Sequence, residues 1–341
     1  MKVVFAAQQL AHYPQKYLSS GEPAANPEQP QRATHLLAAA LNCGLVEEAP
    51  ADHGDGVIAA VHTATYLHFL QNIYTRWSRI EGASSEVLPN VHPISRNDGY
   101  PKSAVGQVGY HVYDASCPIS ADTWNSARWS AMTAAHAARQ VIAGERAIYA
   151  LARPPGHHAS QDLAGGFCYL NNSAIAAQQL LEKFSRVAVI DIDVHHGNGT
   201  QRIFYERSDV MTLSIHADPI RFYPFFWGYA NEAGAGEGDG FNVNLPLPRG
   251  SDDRQYLKTL TMALDMIAAY SPQALVVALG LDAHEGDPFR GMRITTQGFG
   301  QIGAELGALG LPTVLVQEGG YLSDALGANL SSFLYGFQAA G

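Results

Sequence analysis

Short apolar, β-branched stretches recur along the chain and have the length of strands. They cover residues 2–7, 147–153, 186–195, 210–217, 274–282 and 312–317. Most are apolar without interruption, which is typical of strands that a parallel sheet buries on both faces. We therefore predict a mostly parallel sheet at the centre of the fold.

Between these stretches the apolar residues follow helical spacing. The predicted helices cover residues 30–42, 122–144, 172–182, 252–270 and 296–309. In the first, Leu36, Leu37 and Leu41 share one face before a stop at Gly44, and Asp122 is suited to cap the second. This alternation predicts an α/β fold in which helices connect successive strands.

One segment, residues 82–120, departs from the alternation. It is rich in Pro, Gly, Ser and Asn but carries Tyr100, Tyr110 and Tyr113. Loops longer than ~15 residues are usually functional or disordered, and the tyrosines argue against disorder. We interpret the 82–120 segment as an insertion that forms an active-site rim or a subunit contact, with a solvated surface loop as the alternative.

Composition narrows the classes of partner. The chain has 341 residues, of which 47% are hydrophobic, and a formal net charge of −10. Length alone would allow two domains of ~150 residues, but no linker of biased composition divides the chain, so we expect one domain over residues 1–341. The acidic balance argues against a nucleic-acid partner and is compatible with a cationic substrate.

The cysteines and the first residues predict a cytoplasmic protein. Cys43, Cys117 and Cys168 are widely spaced and form no CxxC pair, which argues against a disulfide framework or a thiolate zinc site. The chain starts with a short apolar strand, and no apolar run approaches the ~18 residues of a membrane span. We expect reduced thiols and no membrane partner.

The apolar stretch at residues 186–195 ends in side chains that suit a metal ion. Asp191, Asp193 and His195 occupy alternate positions and would project to one side of a strand, after which Gly197 and Gly199 let the backbone turn. Adjacent carboxylates repel one another unless a cation or a proton lies between them. Oxygen and imidazole donors suit Zn²⁺ or another first-row ion, so the pattern indicates a metallohydrolase.

Other predicted strands also end in polar residues. The segments that follow them are Arg153-Pro154-Pro155-Gly156-His157-His158, Asp282 and Glu318-Gly319-Gly320-Tyr321. A lone histidine or aspartate in such a place is more often structural. Because the carboxyl ends of parallel strands share one edge of a sheet, the combination predicts an active site there.

Together these motifs resemble those of the zinc-dependent histone deacetylases and acetylpolyamine amidohydrolases of the arginase/deacetylase superfamily. The matching motifs are Arg-Pro-Pro-Gly-His-His, Asp-x-Asp-x-His-His-Gly-Asn-Gly-Thr, Leu-Gly-Leu-Asp and Glu-Gly-Gly-Tyr, in the same order, within residues 59–321. The resemblance implies the arginase/deacetylase fold, a single α/β domain around an eight-stranded, mostly parallel sheet.

The resemblance also implies a metal site. Asp193, His195 and Asp282 would bind one Zn²⁺ per subunit and leave positions open for water and a substrate carbonyl. The arginase branch binds two manganese ions with further carboxylates two residues beyond these ligands. Here those positions hold Gly197 and His284, so one metal is favoured, with Fe²⁺ and Co²⁺ as alternatives to zinc.

The catalytic roles follow from the same resemblance. His158 would be the general base, and His157, paired with Asp191, would stabilise developing charge. Asn198 stands beside His158 where some relatives have aspartate, and a neutral amide would raise the imidazole pKa less than a carboxylate. Tyr321 would donate a hydrogen bond to the oxygen that becomes negative in the tetrahedral intermediate.

Fewer residues mark substrate recognition. Gly166, Phe167 and Tyr223 match the aromatic walls of the narrow acyl-lysine tunnel of the family, with ordinary core aromatics as the alternative. Asp114 and Glu285 are carboxylates that could bind a cationic substrate, although a surface carboxylate is more often merely solvated.

Resemblance alone supports the remaining expectations. The 82–120 segment is similar to the long insertion of acetylpolyamine amidohydrolases, which builds a dimer, and this favours a homodimer that deacylates acetylpolyamines, acetylated diamines or related small acylamines. Deacetylation of protein or peptide acetyl-lysine is the alternative, and a non-enzymatic binding protein is a third hypothesis. The residues that match a monovalent cation site, expected to hold K⁺, are Asp191, Asp193, His195, Ser214 and Ile215.

Overall fold

Eight of the ten described strands form one sheet in which every pairing is parallel, as predicted. The computed structural model describes residues 1–97 and 99–341. The strands are β1 Lys2–Val4, β2 Lys16–Ser19, β3 Glu22–Ala25, β4 Val46–Glu48, β5 Ala147–Ala150, β6 Val187–Asp191, β7 Val210–Ala217, β8 Asn242–Leu247, β9 Ala274–Leu279 and β10 Thr313–Gln317. Their order in the sheet is β4-β1-β5-β10-β9-β6-β7-β8, and β2 and β3 form a separate antiparallel hairpin.

Helices cover both faces of this sheet. They are α1 Gln31–Asn42, α2 Gly56–Ala59, α3 Ala64–Trp77, α4 Ala104–His111, α5 Thr123–Ile142, α6 Asn172–Leu180, α7 Asn198–Phe204, α8 Asp253–Tyr270, α9 Thr296–Gly307 and α10 Leu326–Ala340. Among the described residues, none of these helices combines the length and the apolarity that a membrane crossing needs.

The two faces of the sheet carry separate halves of the core. On β6, Val187 and Val189 pack with the cluster that includes α3, α5 and α6, whereas Ala188 and Ile190 pack with the cluster that includes α1, α8, α9 and α10. Side chains alternate across a strand, so a strand buried on both faces must be apolar throughout. This explains the uninterrupted apolar runs in the sequence.

Three of the strands that lead to the predicted site end earlier than predicted, and the first, β5, ends at Ala150 instead of residue 153. β6 ends at Asp191 instead of residue 195, and β9 ends at Leu279 instead of residue 282. Asp193, His195 and Asp282 therefore lie in the loops just beyond the sheet. A loop can curve so that ligands from two strands face each other, which a straight strand cannot do.

The edge strands β4 and β8 were not predicted. β4 has only three residues, two of them glutamates, and β8 contains two asparagines and a proline. Both lie at an edge of the sheet, where one side of a strand needs no partner and polar residues or proline cost little.

The 82–120 segment is more ordered than its composition predicts. Its ends are joined by an antiparallel bridge between Val87 and Ile119, and it contains helix α4, which Ser103 caps by accepting a hydrogen bond from the backbone N–H of Gly106 at 3.0 Å. Gly106 and Gly109 lie inside this helix, and because glycine has a low helix propensity the sequence did not predict it. Asp98 lies outside the described residues.

The strand order brings four predicted site segments together. β5, β10, β9 and β6 are consecutive neighbours in the sheet and all run in the same direction. The loops that follow them must therefore meet at one edge.

Candidate active site

Three predicted ligands converge where the loops after β6 and β9 meet. Ligand atoms of Asp193, His195 and Asp282, all buried, lie within 4.8 Å of one another. Nδ1 of His195 is 3.0 Å from Oδ1 of Asp193 and 3.2 Å from Oδ2 of Asp282. Backbone N–H groups hold the carboxylates in place: Val194 donates to Asp282 at 3.0 Å, and Gly319 donates to Asp193 at 2.8 Å.

This cluster fits a divalent metal ion. Oδ2 of Asp282 is buried and accepts no well-directed hydrogen bond from the described residues. Burial and the charge of Asp193 raise the pKa of Asp282 to about 6. Burial alone would lower the pKa of His195, but the carboxylates of Asp193 and Asp282 raise it to about 9. The site therefore needs a positive charge between its carboxylates, which a metal ion bound by two oxygens and one nitrogen would supply.

Glycines leave the room that these ligands occupy. A Cβ atom at Gly319 would overlap the carboxylate oxygens of Asp193 and Asp282, and a Cβ at Gly280 would overlap Asp193. Gly319 belongs to the predicted Glu-Gly-Gly-Tyr motif, and its role here is close backbone approach.

The tandem histidines lie beside this cluster and have different partners. Nδ1 of His157 is 2.8 Å from Oδ2 of Asp191, and Nδ1 of His158 is 2.7 Å from Oδ1 of Asn198. Despite burial, Asp191 and Asp193 raise the pKa of His157 well above its usual value, whereas burial and the neighbouring His157 lower the pKa of His158 well below it. Histidines whose pKa values are pushed apart can divide acid and base roles between them.

Tyr321 faces the same cavity from the loop after β10. Its backbone N–H donates to Oδ2 of Asp287 at 3.2 Å, its ring lies 4.7 Å below the Arg32 guanidinium, and Phe289 contacts it edge-on with centroids 4.9 Å apart. Its hydroxyl has no hydrogen-bond partner among the described residues, so the hydroxyl is free to donate to a substrate. Burial raises the pKa of Tyr321 well above its usual value, which keeps the phenol protonated.

Aromatic side chains line a cavity of about 390 Å³ around these groups. Its described lining includes the predicted residues His157, His158, His195, Gly166, Phe167, Tyr223 and Tyr321. The Tyr223 ring meets the His158 ring edge-on at 4.9 Å. Gly166 has φ +55°, and a Cβ there would overlap His158. Phe167 follows at φ +68°, so this strained turn carries an aromatic side chain into the cavity wall.

The structure does not bring Asp114 or Glu285 into the lining of this cavity. Oδ2 of Asp114 accepts hydrogen bonds from Tyr223 Oη at 2.6 Å and from the Gly166 N–H at 2.9 Å, and its Oδ1 accepts from the Ser116 N–H at 2.9 Å. Glu285 is exposed in the loop beyond Asp282. Among the described residues, no carboxylate lines the cavity, and His195 is the member of the metal-binding cluster that reaches its wall.

A larger cavity, about 830 Å³, lies on the other side of His158. Tyr113, Asn198 and Trp227 are among its described lining residues, but Asp193, His195 and Asp282 are not. We assign the active site to the smaller cavity because His195 of the metal-binding cluster and Tyr321 line it, whereas neither lines the larger one.

A second group of possible metal ligands is structural. His157, Cys168 and Glu318 lie close together and are buried. However, Glu318 accepts hydrogen bonds from the N–H groups of Gly156 at 2.6 Å and His157 at 3.0 Å, and from Ser173 Oγ at 2.6 Å. With its lone pairs engaged, Glu318 joins the loops after β5 and β10 instead of binding an ion.

Two of the residues predicted for a monovalent cation, Asp193 and His195, belong to the metal-binding cluster, and the other three lie on β6 and β7. Asp191 and Ser214 are register partners on β6 and β7, and Ile215 follows in β7 with its side chain buried. The Ser214 hydroxyl lies 2.8 Å from Nδ1 of His216.

Sequence analysis did not identify several residues of the site. Phe289 lines the cavity, Asp287 holds the Tyr321 loop, and Arg32 is fully buried behind Tyr321. Phe289 follows Asp282 in the segment Gly-Asp-Pro-Phe, so an aromatic residue beyond a strand end was a usable signal. Arg32 is a helical arginine, and nothing in its local sequence distinguishes it from a surface residue.

Comparisons with known proteins agree with this geometry. Residues 26–337 match the histone deacetylase domain model. The chain is 46% identical to acetylpolyamine amidohydrolase of Burkholderia pseudomallei, covering 99% of both chains, and 41% identical to acetylpolyamine amidohydrolase 1 of Pseudomonas aeruginosa, covering 100% of this chain and 99% of the relative. The crystal structure of the acetylpolyamine aminohydrolase from Burkholderia pseudomallei superimposes with a TM-score of 0.97, at 46% identity, over 100% of this chain and 99% of the other.

Proposed function

The chain belongs to the histone deacetylase family, and we propose that it is a zinc-dependent amidohydrolase that removes acyl groups from small acylated amines. The observation that carries this proposal is the convergence of Asp193, His195 and Asp282 at a cavity that His195, the tandem histidines and Tyr321 line. A two-carboxylate, one-imidazole ligand set leaves coordination positions open, as a catalytic zinc site requires.

The side chains around the cluster have complementary roles in amide hydrolysis. Zn²⁺ at this site would polarise the amide carbonyl and lower the pKa of a bound water. His158, kept neutral, takes the proton of the attacking water and later passes it to the leaving amine. His157, paired with Asp191, carries positive charge beside the reacting centre. Tyr321 donates its hydroxyl hydrogen to the oxygen that becomes negative.

We propose acetylated diamines and polyamines as the substrates. The names of the full-length relatives support this choice, and so does a small cavity whose walls include the aromatic rings of Phe167, Tyr223 and Phe289. Such walls hold a flexible methylene chain by apolar contact and leave little room for a folded protein.

A deacylation panel tests the proposal. Protein stripped of metal and reconstituted with Zn²⁺, Fe²⁺ or Co²⁺ is assayed on acetylputrescine, acetylcadaverine, acetylated polyamines and acetyl-lysine peptides. The proposal predicts metal-dependent hydrolysis with the free acylated amines preferred. A preference for the peptides would favour the alternative, a protein deacetylase, and no hydrolysis of any amide would overturn the enzymatic assignment.

The 82–120 segment supports a homodimer. It exposes the side chains of Val91, Ile94 and Tyr100. Exposed apolar groups of this kind are common in subunit contacts. Light scattering after size-exclusion chromatography would give the mass of the assembly. The K⁺ site and the cytoplasmic location stay predictions.

A further inference from the structure

A continuous row of hydrogen bonds joins His158 to a carboxylate outside the cavity. Nδ1 of His158 is 2.7 Å from Oδ1 of Asn198, and Nδ2 of Asn198 is 3.3 Å from the Tyr113 hydroxyl. The Tyr113 hydroxyl is 2.7 Å from the Tyr223 hydroxyl, which is 2.6 Å from Oδ2 of Asp114. Each of the three intermediate residues has one partner on either side in this row.

The carboxylate at the end determines the direction of every hydrogen bond. Burial raises the pKa of Asp114, but hydrogen bonds from Tyr223 and from the backbone N–H groups of Gly166 and Ser116 stabilise its ionised form. An ionised carboxylate can only accept, so Tyr223 gives Asp114 its single hydroxyl hydrogen. The Tyr223 oxygen must then accept from Tyr113, and the Tyr113 oxygen must accept from the amide NH₂ of Asn198. The carbonyl oxygen of Asn198 consequently faces His158, whose Nδ1 must carry the hydrogen, which leaves Nε2 as the acceptor.

We propose that Asp114 is a positioning residue that acts through Tyr223, Tyr113 and Asn198 to keep the proton of His158 on Nδ1. The inference rests on the proposed function, in which Nε2 of His158 accepts the proton of the attacking water. Asp114 touches no reacting atom, since it is separated from His158 by three side chains.

An asparagine beside the general base makes this arrangement useful. An amide can turn either its oxygen or its NH₂ group toward an imidazole, and the two orientations select opposite tautomers. Asn198 alone therefore leaves the tautomer of His158 open. Asp114 removes this ambiguity from a distance without placing a negative charge next to the imidazole.

The contacts of Asp114 argue against a role as a substrate ligand. Its two oxygens already accept hydrogen bonds from Tyr223, Gly166 and Ser116. The hydrogen bonds that Asp114 accepts from the backbone N–H groups of Gly166 and Ser116 define one alternative role, that of a loop anchor, in which Asp114 only holds these loops in place. The competing roles predict different kinetics, so substitutions can separate them.

The first test removes two different links of the row. In Asp114→Asn a carboxamide can donate as well as accept, so the direction is lost, and Tyr113→Phe interrupts the row while leaving both backbone contacts of Asp114 in place. We expect kcat on acetylcadaverine to fall about tenfold in each variant, with KM within about twofold of wild type, which corresponds to the loss of about one net hydrogen bond. The kcat of the double variant should be no lower than that of the less active single variant, because both substitutions break the same row.

Tyr110→Phe is the matched control. Tyr110 lies in the same segment and its hydroxyl donates to the Arg96 carbonyl at 3.1 Å, outside the row, so kcat should not change. Normal kcat in Tyr113→Phe would overturn the inference and leave Asp114 as a loop anchor. A raised KM with unchanged kcat in Asp114→Asn would overturn it in favour of a substrate contact.

A rescue experiment tests the row more directly. In Asn198→Asp a carboxylate accepts from Nδ1 of His158 itself, so the distant carboxylate is no longer needed. Adding Asp114→Asn in this background should change kcat by less than about twofold, against about tenfold in the wild-type background. Equal losses in both backgrounds would overturn the inference, because a loop anchor cannot be replaced in this way.

The tautomer itself can be observed without any assay of activity. ¹⁵N spectra of zinc-loaded protein labelled at histidine, with the His158 signals assigned from a His158→Ala variant, should show a protonated Nδ1 in wild type and a mixture of tautomers in Asp114→Asn. A His158 protonated at Nε2 in wild type, or an unchanged tautomer in Asp114→Asn, would overturn the inference. A protein that hydrolyses no amide but shows the expected tautomers would instead contradict the proposed function alone.

Discussion

Replacing Tyr321 with phenylalanine should separate catalysis from stability. The ring contacts of Tyr321 with Arg32, at 4.7 Å, and with Phe289, at 4.9 Å, do not involve its hydroxyl. The hydroxyl makes no hydrogen bond to the described residues. Tyr321→Phe therefore removes one donor to the substrate and leaves the described packing contacts in place.

The size of the effect follows from the role of that donor. Loss of one hydrogen bond to a developing oxyanion costs on the order of 10²–10³ in kcat, or about 2.7–4 kcal/mol of transition-state stabilisation. Because the hydroxyl makes no hydrogen bond to the described residues, the free energy of unfolding should change by less than about 0.5 kcal/mol. KM should change little, because the bond strengthens as the oxygen becomes negative.

Tyr66→Phe is the matched control with the opposite outcome. The Tyr66 hydroxyl is buried, and it donates to the Tyr169 carbonyl at 2.7 Å, away from the cavity. Its loss should lower the free energy of unfolding by about 1–3 kcal/mol because it leaves a buried carbonyl unsatisfied, and kcat should not change. Steady-state kinetics on acetylcadaverine and urea unfolding measure both variants. A Tyr321→Phe enzyme that keeps more than about a third of wild-type kcat would refute the role assigned to the hydroxyl.

Three other predictions concern the cavity wall, acid stability and assembly. Phe289→Ala removes a ring that contacts Tyr321 and His195. The loss of about 1.5 kcal/mol of apolar contact should raise KM for acetylcadaverine about tenfold. An unchanged KM would contradict the place of Phe289 in the cavity wall. Burial lowers the pKa of His62 from 6.5 to about 4; the unfolded chain therefore binds a proton that the folded protein does not, and stability falls as pH drops from 6.5 toward 4. The free energy of unfolding of the wild type should fall between pH 7 and pH 5, and in His62→Gln, which can still accept from the Asn171 N–H, this fall should be smaller by about 1.8 kcal/mol. Urea titrations at the two pH values measure it, and an equal fall in both proteins would refute the lowered pKa of His62. Ile94→Asp should convert a dimer to a monomer in light scattering, whereas an intact dimer would place the interface elsewhere.

The sequence predicted the parts of the site that local chemistry marks. Asp193, His195 and Asp282 stand just beyond apolar strands, and parallel strands share an edge, so their convergence follows from local pattern and topology together. The spacing argument was less accurate, since β6 ends at Asp191 and the ligands meet through loop curvature.

Other features depend on contacts between distant segments. Arg32 is buried against a loop almost 290 residues away, with its guanidinium donating to the Glu318 carbonyl at 2.7 Å, and no local pattern marks such a residue. Asp114 lay within the predicted insertion as a candidate substrate ligand. Only the positions of Tyr113 and Tyr223 show that its carboxylate points along a row of hydrogen bonds toward His158. Residues of this kind are defined by tertiary neighbours and not by sequence spacing.

Anomalous diffraction at the zinc edge, from crystals of zinc-reconstituted protein, tests the central claim most directly. The account predicts one peak per subunit, ~2.0–2.2 Å from Nδ1 of His195 and from a carboxylate oxygen of both Asp193 and Asp282. A peak only at His157, Cys168 and Glu318, or no peak in the cavity, would contradict a catalytic metal held by these three residues.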